Sequence, residues 1–104
     1  MRILMTVKMP TKEFNAALAR NEASQRINRI LEESRPESVY FTEEQGVRTA
    51  LLVVNMEDSS QIPRLAEPWF LGFNASVEFR IAMNQEDLRK SGLDELGKKW
   101  GQQG

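Results

Sequence analysis

The chain contains no cysteine and no histidine. Proton transfer and charge stabilisation must therefore come from carboxylates, lysine, arginine, amides and a single tyrosine, Tyr40. Without cysteine there is no thiolate nucleophile, disulfide, iron–sulfur ligand or Cys-based zinc site. Without histidine there is no Ser-His-Asp triad, no His-ligated haem and no His-containing zinc or iron site. The side chains that keep a chemical use fall in strand-like stretches. Arg48, Glu78 and Arg80, with Tyr40 and Thr6, are candidates for one sheet face, and Leu52 is their apolar neighbour. Arginine offers a fork of donors and tyrosine a polar tip on an apolar body, which suits a carboxylate or an enolate. Glu78 is the first candidate for an acid or base and Tyr40 the second, a role that needs a shifted pKa inside a cavity. Trp69, beside Phe70 and between Pro68 and Gly72, is a candidate aromatic lip over that pocket and also a candidate for core packing. The competing reading of the charges is structural: Glu78 and Arg80 lie two apart on one strand face, where they pair with each other or with Arg48 beneath a dimer interface. Glu43-Glu44 and Glu57-Asp58 lack the ligand spacing of an all-oxygen cation loop and read as exposed loop charge, so neither a metal nor another cofactor is expected.

The elements that must position these residues are legible from periodicity. Ile3, Met5, Val7 and Met9 alternate with Leu4, Thr6 and Lys8, and Val77, Phe79, Ile81 and Met83 alternate with Glu78, Arg80 and Ala82, the period of a strand. After Pro10, Thr11 is placed to cap a helix whose apolar residues, from Phe14 to Leu31, fall on a helical period and carry it to about Ser34. Its stripe thins between Leu18 and Ile27, where Asn21, Ser24 and Gln25 stand. Pro36 ends it, Ser38–Thr42 reads as a second strand, and Glu43-Glu44-Gln45-Gly46 makes a tight return into a third, Val47–Met56. Asp58, Ser59 or Ser60 can cap a second helix with Pro63 in its first turn, and Pro68 should kink or split that helix. A fourth strand is expected from about Ala75 to Met83. Asn84 then caps a short segment, Gly92 interrupts it, and Leu93, Leu96 and Trp100 share one helical face.

The order is β-α-β-β-α-β plus an arm, an α+β arrangement of the ferredoxin-like kind with four antiparallel strands and both helices on one face. Ile3, Met5, Val7, Phe41, Leu51, Val53, Val77, Phe79 and Ile81 are expected to meet the helices. Leu4, Thr6, Tyr40, Arg48, Leu52, Val54, Glu78 and Arg80 are left on the other face. A sheet greasy on one side and mixed on the other wants a second cover, and a ligand or a second subunit is the usual one.

At 104 residues the chain fits one domain, 1–104, of which 84–104 form the arm. Lys+Arg 14 against Asp+Glu 15 leaves a net charge of -1, so nothing draws the chain to a nucleic-acid backbone or an anionic membrane. An RNA-recognition sheet needs aromatics on its two central strands, and Arg2–Met9 and Val47–Met56 contain none. The apolar start at Met1–Val7 is too short for a signal peptide and no run approaches a membrane span, so a cytoplasmic protein is expected.

The strand start Arg2-Ile3-Leu4-Met5, the long helix, the hairpin and the stretch Trp69-Phe70-Leu71-Gly72-Phe73-Asn74-Ala75-Ser76-Val77-Glu78-Phe79-Arg80 together resemble the dimeric α/β-barrel superfamily. Its members include antibiotic biosynthesis monooxygenase-like proteins, stress-responsive barrel proteins and many small bacterial domains of unassigned role. The resemblance covers nearly the whole chain and is topological. It implies a homodimer whose two open sheets face each other around a cavity, while the haem-dependent branch is set aside because its histidine is missing here. The expected function is a homodimer that binds a small organic ligand on the sheet face away from the helices or is purely structural. The alternative is a cofactor-free monooxygenase or isomerase acting on small organic acids or aromatic polyketide-like compounds.

Overall fold

Strand β1 (Arg2–Lys8) occupies an inner position of the sheet, because Ile3, Met5 and Val7 are buried and both of its edges are hydrogen-bonded. It pairs antiparallel with β3 (Val47–Asn55) on one side and β4 (Ser76–Ile81) on the other, and β2 (Ser38–Glu44) pairs antiparallel with β3. The resulting order, β2-β3-β1-β4, makes an open four-stranded antiparallel sheet in an α+β fold, compatible with a ferredoxin-like arrangement. The computed structural model describes residues 1–101. Residues 102–104 of the expected arm lie outside the described residues.

Three helices cover one face of the sheet: α1 (Thr11–Ala19), α2 (Ala23–Ser34) and α3 (Ile62–Phe73). The single long helix expected from Thr11 to Ser34 is in fact two, broken at 20–22. Asn21 takes a left-handed conformation there (φ 60), which asparagine tolerates better than most residues. The break falls where the apolar stripe thins. Thr11 is not the cap; Pro10 holds that position and no side chain caps the turn. Asp58 caps a short 3-10 turn, Ser59–Gln61, by accepting from the Ser60 backbone N–H, and Pro63 lies in the first turn of α3. Helix α3 runs through Pro68 without splitting. That proline denies the Arg64 carbonyl its donor one turn later, yet buried Leu65, Trp69 and Phe73 hold the helix on the sheet.

The phase of β3 departs from expectation. Met5 lies opposite Leu52, Ile3 opposite Val54 and Val7 opposite Ala50, so Ala50, Leu52 and Val54 face the helices with β1's buried set. Leu51 and Val53 face the other way. Arg48, of the same parity as Leu52, also turns to the helices. The physical cause is the hairpin: Glu44 pairs with Val47 around a two-residue turn, Gln45-Gly46, with φ of 53° and 81°. Two left-handed residues are what a two-residue hairpin of primed type requires, and that loop length forces Tyr40 opposite Leu51. Phe41 and Ile81 do lie on the helix side, since they pair with Ala50 and Ile3, but both are exposed, and both stand on edge strands, β2 and β4.

Beyond β4 the chain leaves the body as α4 (Gln85–Lys90) and α5 (Leu93–Gly101). Asn84 and Asp87 form a reciprocal capping box at the start of α4, and Gly92 (φ 77) separates the two helices. The arm stretches the molecule to 61 × 29 × 20 Å, and its radius of gyration of 17.8 Å exceeds the roughly 13 Å of a compact chain this long.

Leu52→Ala should lower stability by about 2–5 kcal/mol and Leu51→Ala by distinctly less, read from urea midpoints at low protein concentration. The opposite ranking would put the hairpin one residue out of register.

Candidate functional site

Strand pairing arranges the open face in rows. Tyr40, Leu51, Thr6 and Glu78 form one row across the four strands, and Ser38, Val53, Leu4 and Arg80 form the next. Leu4, Leu51 and Val53 are only partly covered and make an apolar centre. Thr6 is buried between them, and its hydroxyl accepts a long hydrogen bond from Arg80 Nη2 at 3.5 Å. Tyr40, 69% exposed, stands on one edge strand and Glu78 on the other. Three strand spacings separate them by about 14 Å, so the two cannot act on one small group within a single chain.

Ion pairs frame both ends of this face. At the hairpin end Lys8 Nζ meets Glu44 Oε1 at 3.1 Å across β1 and β2, above buried Thr49. At the other end Arg2 holds Glu37 with two bonds, Nη2 to Oε1 at 3.0 Å and Nε to Oε2 at 3.3 Å. The Arg2 guanidinium, by hydrogen bond first and charge second, holds the Glu37 carboxyl below its ordinary value of 4.5. Glu78 makes no ion pair within 4.0 Å among the described residues, with Arg80, Arg48 or any other cation.

Of the site residues expected from sequence, Thr6, Tyr40, Glu78 and Arg80 share the open face. Leu52, Arg48 and Trp69 do not. Leu52 is core, for the hairpin reason given above. Arg48 lies over the Phe14 ring, 4.5 Å from its centroid, and donates to Asn15 Oδ1 at 2.9 Å, so it braces α1 against β3. Trp69 is 0% exposed and stacks with Phe73, whose ring stacks in turn on Phe14 at 5.3 Å. It is a core residue and forms no lip. Among the described residues its indole Nε1 has no hydrogen-bond partner, which costs about 1–3 kcal/mol that the surrounding packing offsets. Leu51, Val53 and Glu44 were missed as members of the open face, where the two-residue turn is the signal that places them; Lys8 joins them by the alternation of β1.

The clefts of the molecule, such as one of about 510 Å³ between α2 and α3 and one of about 350 Å³ beside Arg2, Glu37 and Asp87, are lined by other residues. Among the described residues no group of three or more acidic side chains is placed to hold a metal ion, and no helix is long and apolar enough to cross a membrane. Neither protein-family models nor curated proteins gave a match to this chain.

Trp69→Ala should cost about 3–5 kcal/mol, and Trp69→Phe less, because phenylalanine keeps a ring against Phe73 and removes the unpartnered N–H. Equal losses would mean that the indole's extra volume, not its ring contact, carries the packing.

The Arg2–Glu37 pair sets an acid-side dependence. A carboxyl whose value is depressed on folding adds stability above its unfolded value and loses it as the pH falls through the depressed one. Glu37→Gln should therefore lower the melting temperature slightly at neutral pH, and the gap to wild type should close as pH drops below 4.5. A gap that persists into stronger acid would assign the loss to packing instead of charge.

Proposed function

We propose that the chain works as a homodimer whose two open sheets face each other and hold a small organic acid or ketone between them. The observation that carries this reading is the self-complementarity of the open face. A two-fold axis lying across the strands, midway between the two central rows, sets Val53 opposite Leu51, Leu4 opposite Thr6 and Arg80 opposite Glu78 of the second copy. An isologous contact demands such a match of a surface with itself. It also gives the unpaired Glu78 a cation.

Area supports the same reading. Four strands at about 4.8 Å and six residues at about 3.3 Å make a projected face near 400 Å², and side-chain relief brings it toward the roughly 800 Å² that each partner buries in a standard interface. Sheets packed face to face lie about 10 Å apart. The short side chain of Thr6 leaves room at the centre, and Arg80, which reaches the Thr6 hydroxyl from the neighbouring strand, offers the donors a carboxylate or ketone would use. The second sheet closes the space over the open face.

Light scattering at micromolar concentration should read about twice the chain mass, and thermal shift against a panel of small carboxylates and ketones should find ligands that Arg80→Gln no longer binds. A monomer would overturn the reading. Glu78→Gln should mainly weaken the dimer; intact dimerisation with lost turnover of a panel compound would instead assign the site to a cofactor-free enzyme.

A further inference from the structure

Helix α5 presents Leu93, Leu96 and Trp100 at spacings of three and four residues, a continuous stripe along one side. All three are exposed, at 55%, 47% and 59%, and the helix's principal neighbour is α4 rather than the body of the molecule. A nine-residue helix does not persist in water on its own propensity, so this stripe needs a surface to pack on. The body carries an unfilled groove of matching kind. Between α2 and α3, Ile30 and Pro68 form an apolar floor, and Leu71, 83% exposed, stands at its rim. Arg29 and Arg64 stand on the groove's walls without an ion-pair partner within 4.0 Å among the described residues.

We infer that the groove between α2 and α3 receives helix α5 of a second copy of this chain. The fit is one of length, apolarity and charge. The stripe from Leu93 to Trp100 spans about 10 Å, within the roughly 18 Å of α2 that walls the groove. Leu93, Leu96 and Trp100 meet Ile30, Pro68 and Leu71, the anchor pattern of a helix lying in a groove. In the acidic first turn of α5, Asp94, which makes no ion pair within 4.0 Å among the described residues, meets the free guanidinium groups, and Glu95 shares them with its own Lys98, while Lys99 lies one turn on, toward Glu33. The donor is a second copy because α4 begins where β4 ends: the Asn84–Asp87 capping box fixes its first turn, Asp87 borders the cleft with Arg2 and Glu37, and α5 projects outward from there. Exchange of arms between two copies is self-consistent, each giving one helix and receiving one. The inference is independent of the sheet-to-sheet contact and uses a different surface.

A cysteine-free chain makes the test direct. Arg64→Cys and Lys98→Cys, prepared as separate variants and mixed, should give a covalent heterodimer with a short bifunctional maleimide, and neither variant alone should give a comparable yield. Adding Leu96→Ser and Trp100→Ser to the second variant should cut the heterodimer yield about tenfold or more. Absence of the heterodimer while light scattering still reads a dimer would overturn the arm contact and leave the sheet contact standing. A chain carrying both cysteines that closes on itself as a monomer would overturn the exchange and show α5 folding onto its own groove. A heterodimer that persists after Trp100→Ser and Leu96→Ser would overturn the stripe as the anchor.

Discussion

The alternation of β1 is the constraint on which the rest of the molecule hangs. Side chains on a strand point to opposite faces in turn, so sending Ile3, Met5 and Val7 under the helices commits Leu4, Thr6 and Lys8 to the other side. Antiparallel pairing passes that choice to β3 and β4, and the Gln45-Gly46 turn passes it on to β2. A slip of one residue would drive Lys8 and Thr6 against Phe14 and Trp69 and expel Met5 to water. The composition of the open face is thus a by-product of the core, and its mixture of leucine, valine, arginine and glutamate follows from residues that have no place under the helices.

What could be read from sequence divides along the same physical line. Where one parity is wholly apolar and the other largely polar, as in β1 and β4, the facing of the residues was legible, and Thr6, Glu78 and Arg80 were placed on one face. In β3 the run Ala50-Leu51-Leu52-Val53-Val54 is apolar on both parities and has no phase of its own. Its facing is set from outside, by the loop length, so Leu52 and Arg48 were misplaced while the decisive residues sat in the turn. Trp69 illustrates another gap: proline before and glycine after suggest a loop, but the helix is held by what its buried side packs on, which no local pattern reports. The split between α1 and α2 was visible only as a thinning of the stripe, and Asn21 turned that thinning into a break.

Body and arm are stabilised by different means. The body closes around stacked Phe14, Phe73 and Trp69 and is tied across its helices by Arg26, which donates to the Gly72 carbonyl at 2.7 Å and pairs with Glu22. The arm relies on a capping box and on exposed pairs, Glu86 with Arg89 and Glu95 with Lys98, each worth only tenths of a kcal/mol. That disparity makes the arm the part of the fold whose structure depends most on what it touches.

The inner place of β1 also bears on how the chain comes off the ribosome. Its first strand finds its partners some forty to eighty residues later, in β3 and β4, and only the β2–β3 hairpin is local. One edge of β1 must therefore wait until residues near 55 have emerged, and the other until residues near 81 have. Contacts of such long sequence separation make the ordering of the sheet slow relative to helix formation and leave the nascent segment, rich in methionine, leucine and valine, as a natural client for chaperones that hold extended apolar chain.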